Sequence, residues 1–278
     1  MWGGSGESMN VALGVTWNPR GELPRFERLL PQLEQVYSGL AVSFPPVTDA
    51  GVTRVFTEGQ YAGQPNLRAF VNQEWSAGRY MALRMALLFE ADYIHYADMD
   101  RLLRWVETQP EEWQQSVQAI QLTDCLVMGR SEAAYHTHPK SLVQTEAISN
   151  RVVSLFLGLE MDVSAGSKGF SRLAAEFLAA NTRPGRALGT DAEWPILLKR
   201  AGFRVDYLVV NGLDWESADR YQEQAANPEG QRLAAEQVDT DPQNWAWRVQ
   251  VAHEIVEVAL EAAHREIGCQ DLGHRSHA

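Results

Sequence analysis

Asp92-Tyr93-Ile94-His95-Tyr96-Ala97-Asp98-Met99-Asp100 is an apolar run that ends abruptly in two carboxylates spaced one residue apart. Its aromatic and β-branched residues, its shortness and its position after a helical pattern predict a central parallel strand. Strand alternation then puts Asp98 and Asp100 on one side and Met99 on the other. Two carboxylates at the mouth of an apolar sheet repel each other unless a cation stands between them, and hard oxygen ligands suit Mg²⁺ or Mn²⁺. That is chemistry for handling phosphates. A second Asp-x-Asp, Asp239-Thr240-Asp241, follows polar residues and precedes Pro242. It reads as a helix cap, with Asp241 at the N-cap and Pro242 at the first helical position.

Working outward, the chain alternates strands and helices. Asn10 to Thr16 is an apolar strand that runs into the turn-rich Trp17-Asn-Pro-Arg-Gly21, and Leu23, Phe26, Leu29, Leu30, Leu33 and Tyr37 then recur at helical spacing. Ala41 to Phe44 and Thr53 to Thr57 are short strand candidates, and a long helical pattern spans Leu67 to Glu90 with a possible break near Gly78. Beyond Asp100, helices are expected over Leu102 to Thr108, Glu111 to Ile120, Thr145 to Leu159 and Leu173 to Ala180. Strands are expected over Asp124 to Gly129, near Phe170 and over Arg204 to Val210. His136 and His138 fall in a polar loop. This order implies an α/β fold, a mostly parallel sheet flanked by helices, with its ligand crevice at the carboxyl ends of the strands. Asp98 and Asp100 stand at such an end.

One main domain over 10–216 is expected, preceded by a flexible leader (1–9) in which Met9 is a plausible start. Residues 217–241 read as a polar linker or an exposed helix. The amphipathic C-terminal helix, 242–267, carries one apolar stripe through Trp245, Val249, Ala252, Val256, Ala259, Ala263 and Ile267, and a tail (268–278) follows. That stripe must pack on the main domain or on a second copy of itself, which would make a homodimer.

Length and composition narrow the class. With 278 residues, 45% of them hydrophobic, the chain is long enough for a full core. A formal charge of −12 opposes general binding to nucleic acid or to anionic membrane. Any anionic ligand must be met by a local cluster of cations or by a metal. Cys125 and Cys269 suggest no disulfide framework, and a reducing cytoplasm fits. The longest apolar stretch, Val152 to Leu159, is too short for a membrane span.

Four arginines flank the acidic pair in sequence: Arg79, Arg84, Arg101 and Arg104. Arg79 is the best candidate for a diphosphate, because Gly78-Arg79-Tyr80 starts a helix and helix N-termini attract anions. A second acidic cluster, Thr190-Asp191-Ala192-Glu193, fits a Thr-x-x-Glu capping box. Pro195 argues against that register and leaves Asp191 at a cap or in a loop. Asp191 and Glu193 are therefore candidate catalytic carboxylates.

Four segments in this order resemble the GT-A fold nucleotide-sugar-dependent glycosyltransferases, the broad group that includes polyprenol-phosphate sugar transferases and mannosylglycerate synthase. They are the opening strand ending Val15-Thr16-Trp17, then Gly78 to Arg84 ahead of Tyr93 to Asp100, then Gly166 to Leu173, and Thr190 to Leu198. The resemblance implies that Thr16, Trp17 and Glu58 lie around the nucleotide base and Arg79 near the diphosphate. It implies that the Asp98-Met99-Asp100 segment meets the ribose and the metal. Gly166 to Gly169, with Lys168, would flank the donor sugar and the acceptor, and Asp191 would stand near the acceptor hydroxyl. Relatives often complete the metal shell with a His after the strand here represented by Val205 to Val210; this chain has Asn211-Gly-Leu-Asp214-Trp215, so Asp214 becomes the candidate third ligand.

The activity implied is transfer of a sugar from a nucleoside-diphosphate sugar to an acceptor hydroxyl, dependent on Mn²⁺ or Mg²⁺. Asp191 as general base would make the transfer inverting; otherwise retention is open. The rival of another class is a catalytically inactive nucleotide-binding partner subunit of the same fold. A phosphohydrolase is disfavoured because Arg101-Leu-Leu follows the acidic pair, and a nucleotidyltransferase because no Gly-rich phosphate loop follows the first strand.

Overall fold

Val11–Thr16 forms a strand buried along nearly its whole length (β1), and α1 (Leu23–Val36) packs back over it through Phe26, Leu29 and Leu33. The computed structural model describes residues 10–186 and 188–267; the expected leader, Cys269 and the expected tail lie outside the described residues. The chain continues through β2 (Gly39–Phe44), α2 (Ala50–Thr57), β3 (Leu67–Val71), α3 (Gly78–Ala86), β4 (Tyr93–Asp98), α4 (Met99–Thr108) and α5 (Pro110–Ala119). Then come β5 (Cys125–Arg130), α6 (Glu132–Tyr135), α7 (Lys140–Leu157), β6 (Ser167–Ser171), α8 (Arg172–Asn181) and α9 (Thr190–Arg200). Last are β7 (Val205–Val210), α10 (Pro228–Asp239) and α11 (Pro242–His264).

The strands form one sheet in the order β3-β2-β1-β4-β6-β5-β7, parallel except for β6, which is antiparallel to both neighbours. β4 is central, as its composition demanded, and its alternation sorts the core. Ile94 and Tyr96 join the cluster under α3, α7, α8, α9 and α11, whereas Ala97 joins the opposite cluster under α1, α4 and α5. His95, on that second face, is held by a chain of polar side chains. Trp113 Nε1 donates to the Tyr37 hydroxyl (2.9 Å), which lies 2.6 Å from His95 Nδ1, and His95 Nε2 meets Ser167 Oγ at 2.9 Å.

Three sequence expectations are corrected. Thr53 to Thr57 is not a strand but the end of α2, started by Asp49, whose carboxylate accepts from the amides of Gly51 and Val52 at 2.7 and 3.1 Å. Leu67 to Glu90 is not one helix. Its first part is the edge strand β3, paired with β2 from Leu40 opposite Leu67, and only the 3-10 turn Trp75–Ala77 and α3 are helical. Pairing along an exposed edge overrode the helical spacing. The strand carrying the acidic pair ends at Asp98, and Met99 already belongs to α4, so strand alternation does not reach Asp100.

The C-terminal helix spends its apolar face inside the chain, against α7 and α9. The stripe is rotated from the one expected: Val251, Ala252, Ile255, Val258, Ala259 and Ala262 are buried, while Val249 is exposed. Residues 217–241 carry a short 3-10 turn and α10, which touches α7 and α11. Both acids of the second Asp-x-Asp are caps. Asp241 accepts from Gln243 N at the start of α11, and Asp239 accepts from Lys140 N and Ser141 N at the start of α7, at 2.7 and 2.9 Å. Among the described residues no helix is long and apolar enough to cross a membrane.

Candidate functional site

A cleft opens at the carboxyl ends of β1, β2 and β4, where Thr16, Ser43 and Asp98 face one another. This is where a parallel sheet places ligands, because the strand ends and the following loops meet there. The parallel register sets Thr16 opposite Asp98. Asp98 Oδ1 accepts from the Tyr96 hydroxyl at 2.5 Å and from Thr16 Oγ1 at 3.1 Å, and its Oδ2 accepts from Arg79 Nη2 at 2.8 Å. Arg79 reaches it from the first turn of α3, which approaches β1 closely because Gly78 has no side chain. Thr16, Trp17, Arg79, Asp98 and Asp100 all line this one cleft.

Asp100 sits in the first turn of α4, where a carboxylate also favours the helix dipole. Burial, then the negative charges of Glu216 and Asp98, push its carboxyl up to about 7. Asp98 is paired with Arg79 and Glu216 with Arg101, so the negative charge at Asp100, crowded by both acids, is what a cation would relieve. Among the described residues no group of three or more His, Cys, Asp or Glu side chains is arranged to hold a metal by itself. Mg²⁺ and Mn²⁺ need no such cage when phosphate oxygens and water supply the remaining positions. The acids present fit a divalent ion of that kind.

Behind the cleft wall, Arg79 bridges Asp98 to Asp191, with Nη1 2.8 Å from Asp191 Oδ2. Lys168 Nζ closes on Asp191 Oδ1 at 2.7 Å and on the Val163 carbonyl at 2.9 Å. Burial alone would raise the Asp191 carboxyl, but Arg79 and Lys168 hold it below the usual carboxylate range. A carboxylate gripped by two cations is a poor proton acceptor. Asp191 positions Arg79 instead. It stands in α9, which starts at Thr190 and contains Pro195, rather than at a cap or in a loop, and no side chain caps that helix. Glu193 turns away, bonded to Arg265 at 2.6 Å and facing a second cavity.

Three other candidates lie outside the cleft wall. Glu58 is exposed at the end of α2, because the expected strand before it is helical, and it is not among the residues lining the cleft. The Met99 side chain is fully buried in the core. Asp214 is held by Arg104, whose Nε and Nη2 each donate to one of its oxygens at 2.7 Å, and by Gln231. Two residues on, Glu216 lines the cleft with Arg101 3.4 Å away, in the place where Asp214 was expected.

Sequence reasoning missed Glu216, Trp75, Arg20 and Arg220, all of which line the cleft. Trp75, 54% exposed, sat inside a stretch read as helix. Arg20 and Arg220 are brought together by a backbone bond from Tyr221 N to Arg20 O across two distant loops, which no local pattern announces. His138, read as a loop residue, is buried just before α7.

No protein-family model and no curated protein sequence matches the chain. Solved structures do. The chain resembles glucosyl-3-phosphoglycerate synthase of M. tuberculosis at 12% identity over 95% of this chain and 82% of that one, with a TM-score of 0.54. A mycobacterial protein matches at 12% identity, over 91% and 74% of the two chains, with a TM-score of 0.52. A complex of the M. tuberculosis synthase with Mn²⁺, uridine diphosphate and phosphoglyceric acid matches at 11% identity, over 93% and 80%, with a TM-score of 0.50. At such identities the likeness speaks for the fold. The chain has the expected α/β GT-A fold, a mostly parallel sheet flanked by helices.

Proposed function

We propose that the chain is a metal-dependent glycosyltransferase that moves a sugar from a nucleoside-diphosphate sugar to an acceptor hydroxyl. The observation that carries this reading is the convergence of Asp98, Asp100, Arg79 and Glu216 on one cleft at the strand ends of a GT-A sheet. A neighbour of the same fold was crystallised with Mn²⁺ and uridine diphosphate, which supports a nucleoside diphosphate and Mn²⁺ here.

Asp100, with Glu216 beside it and Asp98 steadying Arg79, would hold the ion. A bound divalent ion supplies neutralisation of charge on the departing diphosphate. Arg79, fixed by Asp98 and Asp191, presents a guanidinium that cannot lose its proton to the same oxygens, and Arg20 and Arg220 add cations at the rim. Trp75, half exposed on the cleft lining, offers a ring suited to a nucleotide base. In the transfer the anomeric carbon–oxygen bond to the diphosphate breaks and a bond to the acceptor oxygen forms. The acceptor's proton would pass to an oxygen of the departing diphosphate, since both oxygens of Asp191 are engaged by cations.

The test is a thermal-shift screen of UDP-, GDP- and ADP-sugars with and without Mn²⁺, since a ligand that binds only the folded state raises its apparent stability. One nucleotide class should stabilise the protein only with metal, and Asp100→Ala should abolish the effect. An unchanged response in that variant would relocate the site. Metal-dependent binding with neither transfer nor donor hydrolysis would instead favour an inactive nucleotide-binding subunit.

A further inference from the structure

The cleft holds about 190 Å³, below the roughly 300–1,000 Å³ of sites that enclose a small-molecule ligand, so an acceptor has no room there beside a nucleoside diphosphate. A larger cavity, about 600 Å³, lies behind the same wall. Residues adjacent in sequence line the two: Trp75 and Arg79 line the cleft, Ser76 and Tyr80 the second cavity. On the loop before α9 the order repeats, with Leu188 lining the cleft and Thr190 the cavity. Arg79 Nη1 lies 3.5 Å from Thr190 Oγ1, so the two sides of this partition touch. The transfer chemistry uses none of the charged groups in the second cavity.

The floor of this cavity is buried: Tyr80, Glu193 and Val258 are 6%, 7% and 7% exposed. Arg265 Nη1 donates to Glu193 Oε1 at 2.6 Å, which leaves Oε2 as an acceptor for a ligand. Burial raises the Glu193 carboxyl above its usual range against the pull of Arg265, and the charge of Glu261 adds to the rise. The walls carry both signs. Arg183, Arg186 and Arg265 share the lining with Glu193, Glu261 and Glu266, and Arg186 is already paired with Glu257. Three guanidiniums therefore meet four carboxylates, so a phosphate or carboxylate ligand finds no surplus of cations, and a free cation meets guanidiniums on the same walls. Groups that donate to carboxylates and accept from guanidiniums at once, without net charge, are neutral hydroxyls.

We propose that the second cavity binds a neutral saccharide, whose hydroxyls donate to Glu193 Oε2 and Glu261 and accept from Arg183, and that this saccharide is the acceptor. Held there, it has only the partition of Ser76, Arg79 and Thr190 between it and the cleft, and a hydroxyl on that side is the one presented to the donor. The role of acceptor rests on the transferase reading; the binding itself does not.

The test is saturation-transfer NMR on the full chain with D-glucose, D-mannose and maltose, alone and after addition of Mn²⁺ and UDP. 3-Phosphoglycerate serves as the anionic probe. At least one neutral sugar should bind. Ala180→Trp places a large ring on the exposed last turn of α8, where it fills the cavity without touching the core, and should abolish the signal. Glu193→Gln should weaken binding by about tenfold, the effect of one hydrogen bond to a charged group. Binding of 3-phosphoglycerate with the neutral sugars silent, binding of none, or unchanged sugar binding in both variants would overturn the subsite. Sugar binding without any nucleotide binding would keep the subsite and sink the transferase reading; nucleotide binding without sugar binding would do the reverse.

Discussion

Gly166 adopts a φ of +71°, and a Cβ there would stand 2.4 Å from Asp98 Oδ2. The position thus serves two demands at once, a left-handed backbone and room for the carboxylate that anchors Arg79. Gly166→Ala is expected to cost on the order of 1–2 kcal/mol in backbone strain. It should also displace Asp98 and remove the metal-dependent stabilisation by nucleotide, which the same thermal-shift measurement reads. His95 illustrates a different residue-scale consequence. Burial lowers its pKa from 6.5 to about 3, so the folded protein keeps it neutral where the unfolded chain would protonate it. Its contribution is therefore complete above pH 6.5 and is lost as pH falls through about 3. Urea unfolding between pH 6.5 and 4 should show stability falling by about 1.4 kcal/mol per pH unit from this group. His95→Gln should flatten that slope.

At the scale of elements, the sequence misassigned α2 as a strand and β3 as part of a helix, and ran the strand of β4 past its end. β1 and β4 were legible because buried strands are short continuous apolar runs. β3 was not, because an edge strand is half exposed and Leu67-Arg-Ala-Phe-Val carries no pattern that its pairing with β2 does not supply. The convergence of Asp98 and Asp100 was anticipated by the wrong route. A strand handing over to a helix at Met99, not strand alternation, sets the acids on one cleft. Asp239 shows how an element can depend on a residue far from it in sequence, since it caps α7 from the end of α10. Asp239→Ala should lower stability by about 1 kcal/mol, measured by denaturant midpoint.

At the scale of the whole molecule, α11 closes one side of the core. Its Val251, Ile255, Val258, Ala259 and Ala262 cover faces of α7 and α9, and α9 in turn carries Asp191. Removing residues 242–278 would expose that apolar surface to water, so the shortened chain should lose its single cooperative thermal transition and aggregate. Scanning calorimetry and light scattering decide this; a soluble fragment with an unchanged melting profile would show that α11 is dispensable. The loop after β7 has a matching role at the cleft. Asp214 and Asp219 fix it to Arg104 and Asp219 also to Arg25, and that anchorage is what delivers Glu216 and Arg220 to the rim.

Sequence by itself determined the α/β class and the central strand that ends in Asp98, and it singled out Arg79 as the cation near that acidic end. These follow from local hydrophobic period and from charge that must be balanced wherever it is buried. Only the tertiary structure decided that Asp214 belongs to Arg104, that Asp191 is a strut between two cations, and that Glu216 lines the cleft. Local pattern records how often a side chain returns to one face. It does not record which distant partner neutralises a buried charge, and in a cleft assembled from loops far apart in the chain that choice fixes what each carboxylate does.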